Sequence, residues 1–195
     1  MSDERHLDED AALMCRARDG DDDAFATLFT RWRVAMVRFA VRFVGDQVRG
    51  EELAQDVFVK IYKARHRYEP RERFRAYIFR VATNHCLNEV ARAEHRYPKG
   101  PLEHDPTDLS APNAERLVDA ARMQATIREA VASLPAKQRA ALLLQKEDGL
   151  SLMEIAQGLD TTVSAVKSLL NRARATLKAQ LAPLMSGPGR LEASR

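Results

Sequence analysis

Apolar residues recur at intervals of three and four along the first half of the chain, the spacing of one buried face of an α-helix. The first series predicts a helix that stops at Gly45 and Asp46. Its members are Phe25, Leu28, Trp32, Met36, Phe39 and Phe43. A second series made of Leu53, Val57 and Ile61 predicts another helix, from about 47 to 64.

A third helix is predicted to begin near Arg73, after a segment that contains Pro70, a residue poorly suited to a helix interior. Steps of four residues give it one apolar face, formed by Ile78, Ala82, Cys86 and Val90. The neighbouring face carries aromatic, amide and guanidinium groups: Tyr77, Arg80, Asn84, Asn88 and Arg92. Such groups stack on unpaired bases and bind phosphates, although a solvated helix face has the same composition. The basic segment just before this face favours the nucleic-acid interpretation.

Residues 97–113 are rich in proline and polar side chains and lack an apolar period, which predicts a flexible linker. A helix is predicted from about 114 to 132, and Ser133 is expected to cap the next one, which ends at Asp148 and Gly149. The tail from Pro183 onward is expected to be disordered. Because no stretch alternates with period two, the predicted fold is all-α, with two small helical domains.

The second half contains a helix-turn-helix pattern. Ser151 and Glu154 have the spacing of a capping box, a turn follows around Asp160, and Thr162 can cap a last, basic helix. Donors on the outer face of that helix can reach base edges or phosphates in a major groove. The alternative is a basic, solvated helix packed in a bundle. Agreement among caps, turn and charge favours DNA recognition.

Overall composition indicates less about function than the distribution of charge along the chain does. The chain has 31 basic and 28 acidic residues, with acids crowded near the start and in the linker. The basic residues cluster in two places, which suggests two contacts with one polyanion. The first cluster comprises Lys60, Lys63, Arg65, Arg67, Arg71, Arg73, Arg75 and Arg80. The second comprises Lys167, Arg172, Arg174 and Lys178.

Other classes of protein find little support in the sequence. Cys15 and Cys86 form neither a disulfide framework nor a zinc motif, and the adjacent His85 and Cys86 point to different helix faces. No phosphate loop or nucleophile–base arrangement is recognisable, so we expect neither enzymatic activity nor a metal or cofactor. The lack of a disulfide framework favours a reducing cytoplasm. The start of the chain has no apolar run long enough for a signal peptide or a membrane span.

The residues then match a known family. Residues 19–96 resemble region 2, and residues 125–181 resemble region 4, of the extracytoplasmic-function (ECF) sigma factors, group IV of the sigma-70 family. The most specific segments are EELAQDVF at 51–58, FRAYIFRVATN at 74–84, and Leu134-Pro135 together with 150–174. This sequence departs from the family's usual pattern at three positions: Tyr77, where Trp is frequent in the family, Asn88, where Asp is common, and Asp160, where Gly is usual.

The resemblance implies three functional surfaces. A docking face would bind the clamp helices of the largest subunit of RNA polymerase, and its residues are Glu52, Gln55, Asp56 and Lys60. A stripe on the helix predicted to begin near Arg73, called the α4 stripe from here on, would capture the melted minus-ten element with Phe74, Arg75, Tyr77, Arg80, Asn84 and Asn88. The recognition face would read the minus-thirty-five duplex with Thr162, Ser164, Lys167, Ser168, Asn171, Arg172 and Arg174.

The resemblance also implies a division of the chain into an acidic extension (1–18), region 2 (19–97), a linker (98–113), region 4 (114–182) and a tail (183–195). The expected partners are core RNA polymerase, including the flap of its second subunit, promoter DNA and an anti-sigma factor. Two alternatives remain: a helix-turn-helix regulator that binds DNA alone, and a sigma mimic that only binds an anti-sigma factor. The first leaves the docking face and the α4 stripe without a role, and intact DNA-facing donors disfavour the second.

Overall fold

The computed structural model describes residues 2–70, 73–96, 114–147 and 149–185, and these residues form helices without any strand among them. The predicted linker at 98–113 and the end of the predicted tail, residues 186–195, lie outside the described residues. The first unit contains α1 (Ser2–Arg18), α2 (Asp22–Val44), α3 (Gln47–Ala64), a 3₁₀ turn (Arg65–Arg67) and α4 (Phe74–Arg96). The second contains α5 (Ala114–Ala132), α6 (Ala136–Lys146), α7 (Leu152–Gly158) and α8 (Val163–Met185). The prediction of an all-α fold is confirmed.

Helices α2 and α3 form the centre of the first unit, and local signals set their ends. The Asp21 carboxylate accepts a hydrogen bond from the backbone N–H of Ala24 and caps α2, which ends at Gly45 in the left-handed conformation (φ 82°). Asp46 then caps α3 through the backbone N–H of Arg49. The two helices approach closely at Gly50, where an added Cβ would lie 2.6 Å from the Cα of Val41.

The N-terminal segment, expected only as an acidic extension, forms helix α1 and packs on α2. Met14 and Ala17 are fully buried there. Asp10 is also buried, and it accepts hydrogen bonds from the Trp32 indole at 3.0 Å and from Arg31 at 2.8 Å. An ion-paired and hydrogen-bonded carboxylate can be buried without a large penalty, so α1 belongs to the core of the first unit.

The predicted helix-turn-helix is present in the second unit. Ser151 and Glu154 form a complete capping box at the start of α7. Asp160 adopts a left-handed conformation (φ 48°) in the turn, where a glycine was expected, and Asp tolerates this conformation better than most residues. The Thr162 hydroxyl accepts from the backbone N–H of Ala165 and caps α8. Both caps confirm the sequence interpretation.

Two local predictions in the second unit were wrong. Ser133 does not cap α6, because its hydroxyl donates to the carbonyl of Ala130 in the preceding helix, and α6 begins after Pro135 without a side-chain cap. The last helix continues through Pro183 to Met185, beyond the predicted start of the tail. No described helix has the length and apolar character needed to cross a membrane.

The two units pack against each other around buried side chains from both. Arg139 of α6 is itself buried and donates to the carbonyls of Phe43 at 2.5 Å, Leu134 at 3.0 Å and Ala132. It thereby satisfies end carbonyls of α2 and α5, which belong to different units. Arg73, just before α4, forms an ion pair with Glu154 of α7 and donates to the Gly149 carbonyl at 2.6 Å.

Candidate polymerase and nucleic-acid interfaces

The four residues of the docking face lie together on the exposed side of α3. Helix α3 buries its other side through Leu53, Ala54, Val57, Phe58 and Ile61. Residues 52, 55, 56 and 60 are exposed on the opposite side. They share one face of the helix, because residues three and four apart are neighbours on a helix surface. Glu52 is paired with Arg49 at 2.6 Å, and Asp56 keeps 56% of its side chain exposed. The structure thus brings the predicted polymerase-binding residues onto one surface.

His85 of α4 lies behind this face, and it is a functional candidate that the sequence interpretation missed. Its Nδ1 atom is 2.7 Å from the ammonium nitrogen of Lys60, and its Nε2 atom is 3.2 Å from a carboxylate oxygen of Asp56. The sequence interpretation weighed His85 only as a metal ligand. No pattern in the sequence could reveal the pairing, because 25 and 29 residues separate the partners.

An apolar groove runs beside the docking face. It has a volume of about 850 Å³ and lies between α2, α3 and α5. Phe29, Val34, Phe58 and Ile127 contribute apolar surface to its walls, and Gln55 of the docking face lines its edge. An apolar centre with a polar rim is the usual composition of a protein–protein interface.

The α4 stripe divides into a covered part and an open part. Phe74 is only 1% exposed, because its ring packs on Trp32 at 5.9 Å and on Tyr77 at 6.0 Å. The Arg75 guanidinium lies 4.9 Å from the Trp32 ring. Arg80 is half-buried over Tyr77. Asn84 and Asn88 are exposed, so the open part of the stripe is its C-terminal half.

Helix α7 packs against α4 beside the stripe. A Cβ added to Gly158 of α7 would lie 3.9 Å from the Cα of Arg80, which is ordinary van der Waals contact. The Arg73–Glu154 ion pair closes the same contact between α4 and α7. Burial raises the pKa of Glu154, but the bonds from Arg73 and Ser151 lower that pKa by more, so the carboxylate stays ionised at neutral pH. The predicted minus-ten surface is therefore partly closed in this conformation.

The recognition face is a continuous polar surface on α8. Val166, Leu170 and Ala173 are buried, and they turn the basic side of the helix to solvent. Of the predicted residues, Thr162, Ser164, Lys167, Asn171, Arg172 and Arg174 are exposed, and Ser168 is half-buried. Arg172 donates to the Ser168 hydroxyl at 2.9 Å, and Arg174 donates to the Gln145 amide oxygen at 2.7 Å. Residues 163–185 include no acidic side chain, so the face attracts phosphates.

Comparisons with known proteins give a consistent result. Residues 28–96 match the family described as Sigma-70 region 2, and residues 124–177 match Sigma-70, region 4. The RNA polymerase sigma-H factor of Pseudomonas aeruginosa is 28% identical over 188 residues, covering 91% of this chain and 96% of that protein. The ECF RNA polymerase sigma factor SigW of Bacillus subtilis is 25% identical over 177 residues, covering 87% and 95%.

One solved structure extends the comparison to three dimensions. The structure of CnrH in complex with the cytosolic domain of CnrY has a TM-score of 0.67 at 27% identity. The match covers 90% of this chain and 98% of the CnrH chain. The two family matches include most of α2, all of α3 and α4, and the second unit from the later part of α5 to residue 177.

Proposed function

The chain belongs to the ECF sigma factors of the sigma-70 family, and we propose that it binds core RNA polymerase, recognises the minus-thirty-five and minus-ten elements of a promoter, and promotes melting of the DNA. The observation that carries the proposal is the order of three surfaces along the chain. A charged and polar docking face on α3 is followed by an aromatic, amide and guanidinium stripe on α4 and by a polar recognition face on α8 whose charged residues are all basic. A regulator that binds DNA alone needs only the last of these.

The docking face and the groove together are proposed to contact the clamp helices of the largest polymerase subunit. The exposed charges of Asp56 and Lys60 supply directional contacts, and the groove beside Gln55 supplies apolar area. A second contact, between the second unit and the flap of the second polymerase subunit, would fix the spacing of the two DNA-binding surfaces. Because both contacts require the protein to meet its polymerase, the proposal includes a cytoplasmic location.

Promoter recognition is proposed to proceed in two modes. Arg172 and Lys167 on the recognition face hold phosphates and base edges of the minus-thirty-five duplex, which gives affinity with a strong salt dependence. The α4 stripe captures unpaired bases of the minus-ten element, and base–aromatic stacking of about 1–3 kcal/mol per base offsets the few kcal/mol of unstacking. Phe74 and Arg75 pack on Trp32 of the same unit, so separating the two units would uncover the α4 stripe only near Arg80, where α7 lies against it.

We further propose that an anti-sigma factor holds the protein inactive. The related CnrH was solved with the cytosolic domain of a partner, CnrY. In this chain the groove between α2, α3 and α5 is open and partly apolar, so a helix of an inhibitor can occupy it. An inhibitor seated there would compete directly with polymerase, and a competition assay with core enzyme measures this.

The test of the function is transcription with purified core RNA polymerase, this protein and templates with random upstream sequence. A sigma factor selects templates that share two motifs at a fixed spacing, and transcripts depend on both core and this chain. Binding to duplex DNA without core-dependent initiation would instead identify a regulator of another class.

The docking assignment is tested separately by Asp56→Ala. We expect the affinity for core polymerase to fall by about tenfold or more, since truncating a charged group at an interface centre typically costs ~2 kcal/mol. Asp56 is exposed, so the fold should be kept; the variant also removes the acceptor of the buried His85 Nε2–H, and urea unfolding measures what that loss costs. The matched control is Asp23→Ala, which removes another exposed acid at the start of α2. Equal polymerase affinity for the two folded variants contradicts the assignment.

A further inference from the structure

His85 links the two charged residues of the docking face from a buried position. The residue is 6% exposed and reaches from α4 to α3. Its Nδ1 atom lies 2.7 Å from Nζ of Lys60, and its Nε2 atom lies 3.2 Å from Oδ2 of Asp56. Both partners project to the surface, whereas the ring that joins them is enclosed.

The chemistry of the partners fixes the state of the ring. A lysine ammonium can only donate hydrogen bonds, so Nδ1 accepts, and the proton on Nε2 is donated to the Asp56 carboxylate. The ring is therefore neutral. Burial lowers the pKa of His85 and the charge of Lys60 lowers it further, against the opposing effects of Asp56 and Glu89. Lys60 and Asp56 from α3 and Glu89 from α4 are the charged groups that influence the ring.

The His85 ring lies between Asp56 and Lys60, two charges that could otherwise pair directly with each other. The two are four residues apart on α3, with the acid first, which is the spacing and order that favours a direct ion pair along a helix. The imidazole between them instead gives each charge a separate, fixed partner. A flexible lysine side chain also loses rotamer freedom when it is held in this way, before any partner arrives.

We infer that His85 is a positioning residue, which holds the Asp56 carboxylate and the Lys60 ammonium apart and preoriented for polymerase. The inference rests on the proposed function, because it assigns both charges to the polymerase interface. Without the ring, Asp56 and Lys60 pair with each other and have to be separated again on binding. The affinity for core enzyme then falls even though neither charge has been removed.

The test compares His85→Leu with His85→Gln. Leucine removes both hydrogen-bonding atoms, and we expect core affinity to fall by about tenfold. A glutamine amide carries an acceptor oxygen and a donor NH₂ group on one rigid unit, so it can accept from Lys60 and donate to Asp56. His85→Gln should therefore bind core within about threefold of the original chain. Rescue by glutamine is a result that loss of packing alone does not produce.

A double-mutant cycle completes the test. Since His85 acts through Asp56, adding His85→Leu to Asp56→Ala should weaken binding much less than it does in the original chain. Additive losses, or core binding by His85→Leu equal to that of the original chain, overturn the inference. Failure of the original chain to bind core refutes the proposed function instead, whereas no loss with Asp56→Ala contradicts the docking assignment and overturns the inference with it. Urea unfolding of each variant identifies any loss that comes from unfolding, and His85→Gln keeps the test decisive if the leucine variant is unfolded.

Discussion

Arg139→Met tests whether one buried guanidinium holds the two helical units together. Arg139 donates to three main-chain carbonyls, those of Phe43, Ala132 and Leu134, and its guanidinium carbon lies 5.6 Å from the centre of the Phe43 ring. Methionine is long and apolar enough to keep the packing on that ring. The substitution therefore removes the hydrogen bonds and the charge but leaves most of the buried volume filled.

The magnitude follows from the carbonyls that lose their donor. Each buried carbonyl left without a partner costs about 1–3 kcal/mol, which sets an upper range of ~3–9 kcal/mol for three. The variant also avoids the desolvation of a buried guanidinium, and water can reach a carbonyl at the edge of the contact. We therefore expect the free energy of unfolding to fall by about 3 kcal/mol. With a typical urea dependence of ~2 kcal/mol/M, the midpoint moves down by about 1.5 M.

Urea unfolding followed by far-ultraviolet circular dichroism measures this change. The control is Arg128→Met, which replaces an exposed arginine on α5 and should shift the free energy by no more than about 0.5 kcal/mol. A loss below about 1 kcal/mol for Arg139→Met would refute the reasoning, because it would mean that the three carbonyls gain little from the guanidinium.

Three other predictions follow from contacts described above. Arg73→Gln should open the α4–α7 contact and speed amide hydrogen exchange in α7 about fivefold at neutral pH. The pKa of Glu154 lies below its usual value of 4.5. In the original chain the contact should therefore persist above pH 4.5 and be lost as the pH falls through the lowered pKa. Gly50→Ala should reduce the free energy of unfolding by about 1–3 kcal/mol, since its Cβ would meet the backbone of Val41; unchanged stability would contradict that packing. Arg172→Ala should weaken duplex binding and reduce its salt dependence by about one ion, as measured by fluorescence anisotropy.

The sequence predicted the helices well where the apolar period was strong. The predicted bounds of α3 and α5 coincide with the observed ones. Asp46 caps the start of α3, and Pro135 follows soon after the end of α5. The period also identified most of the buried face of α4, where Ile78, Ala82 and Cys86 are buried. Helix α1 was missed because its sequence is rich in acids, and its packing on α2 includes the Asp10–Trp32 bond, which joins distant residues.

The candidate site was less predictable than the helices. The period placed the docking face and the recognition face correctly on exposed surface, since each opposes an apolar stripe. It could not show that Phe74 is buried or that α7 covers part of the α4 stripe, because both follow from packing between elements far apart in sequence. His85 and Arg139 were missed for the same reason.

The burial of Cys86 gives the protein an internal chemical probe. Cys86 lies fully buried in the first unit, and burial raises the pKa of its thiol to about 12. Only the thiolate is strongly nucleophilic, so an alkylating reagent at neutral pH should modify Cys86 only after the surrounding helices open. Cys15 is half-buried and is the more accessible of the pair. The rate at which the Cys86 thiol reacts therefore measures how often the first unit opens, and no label has to be engineered.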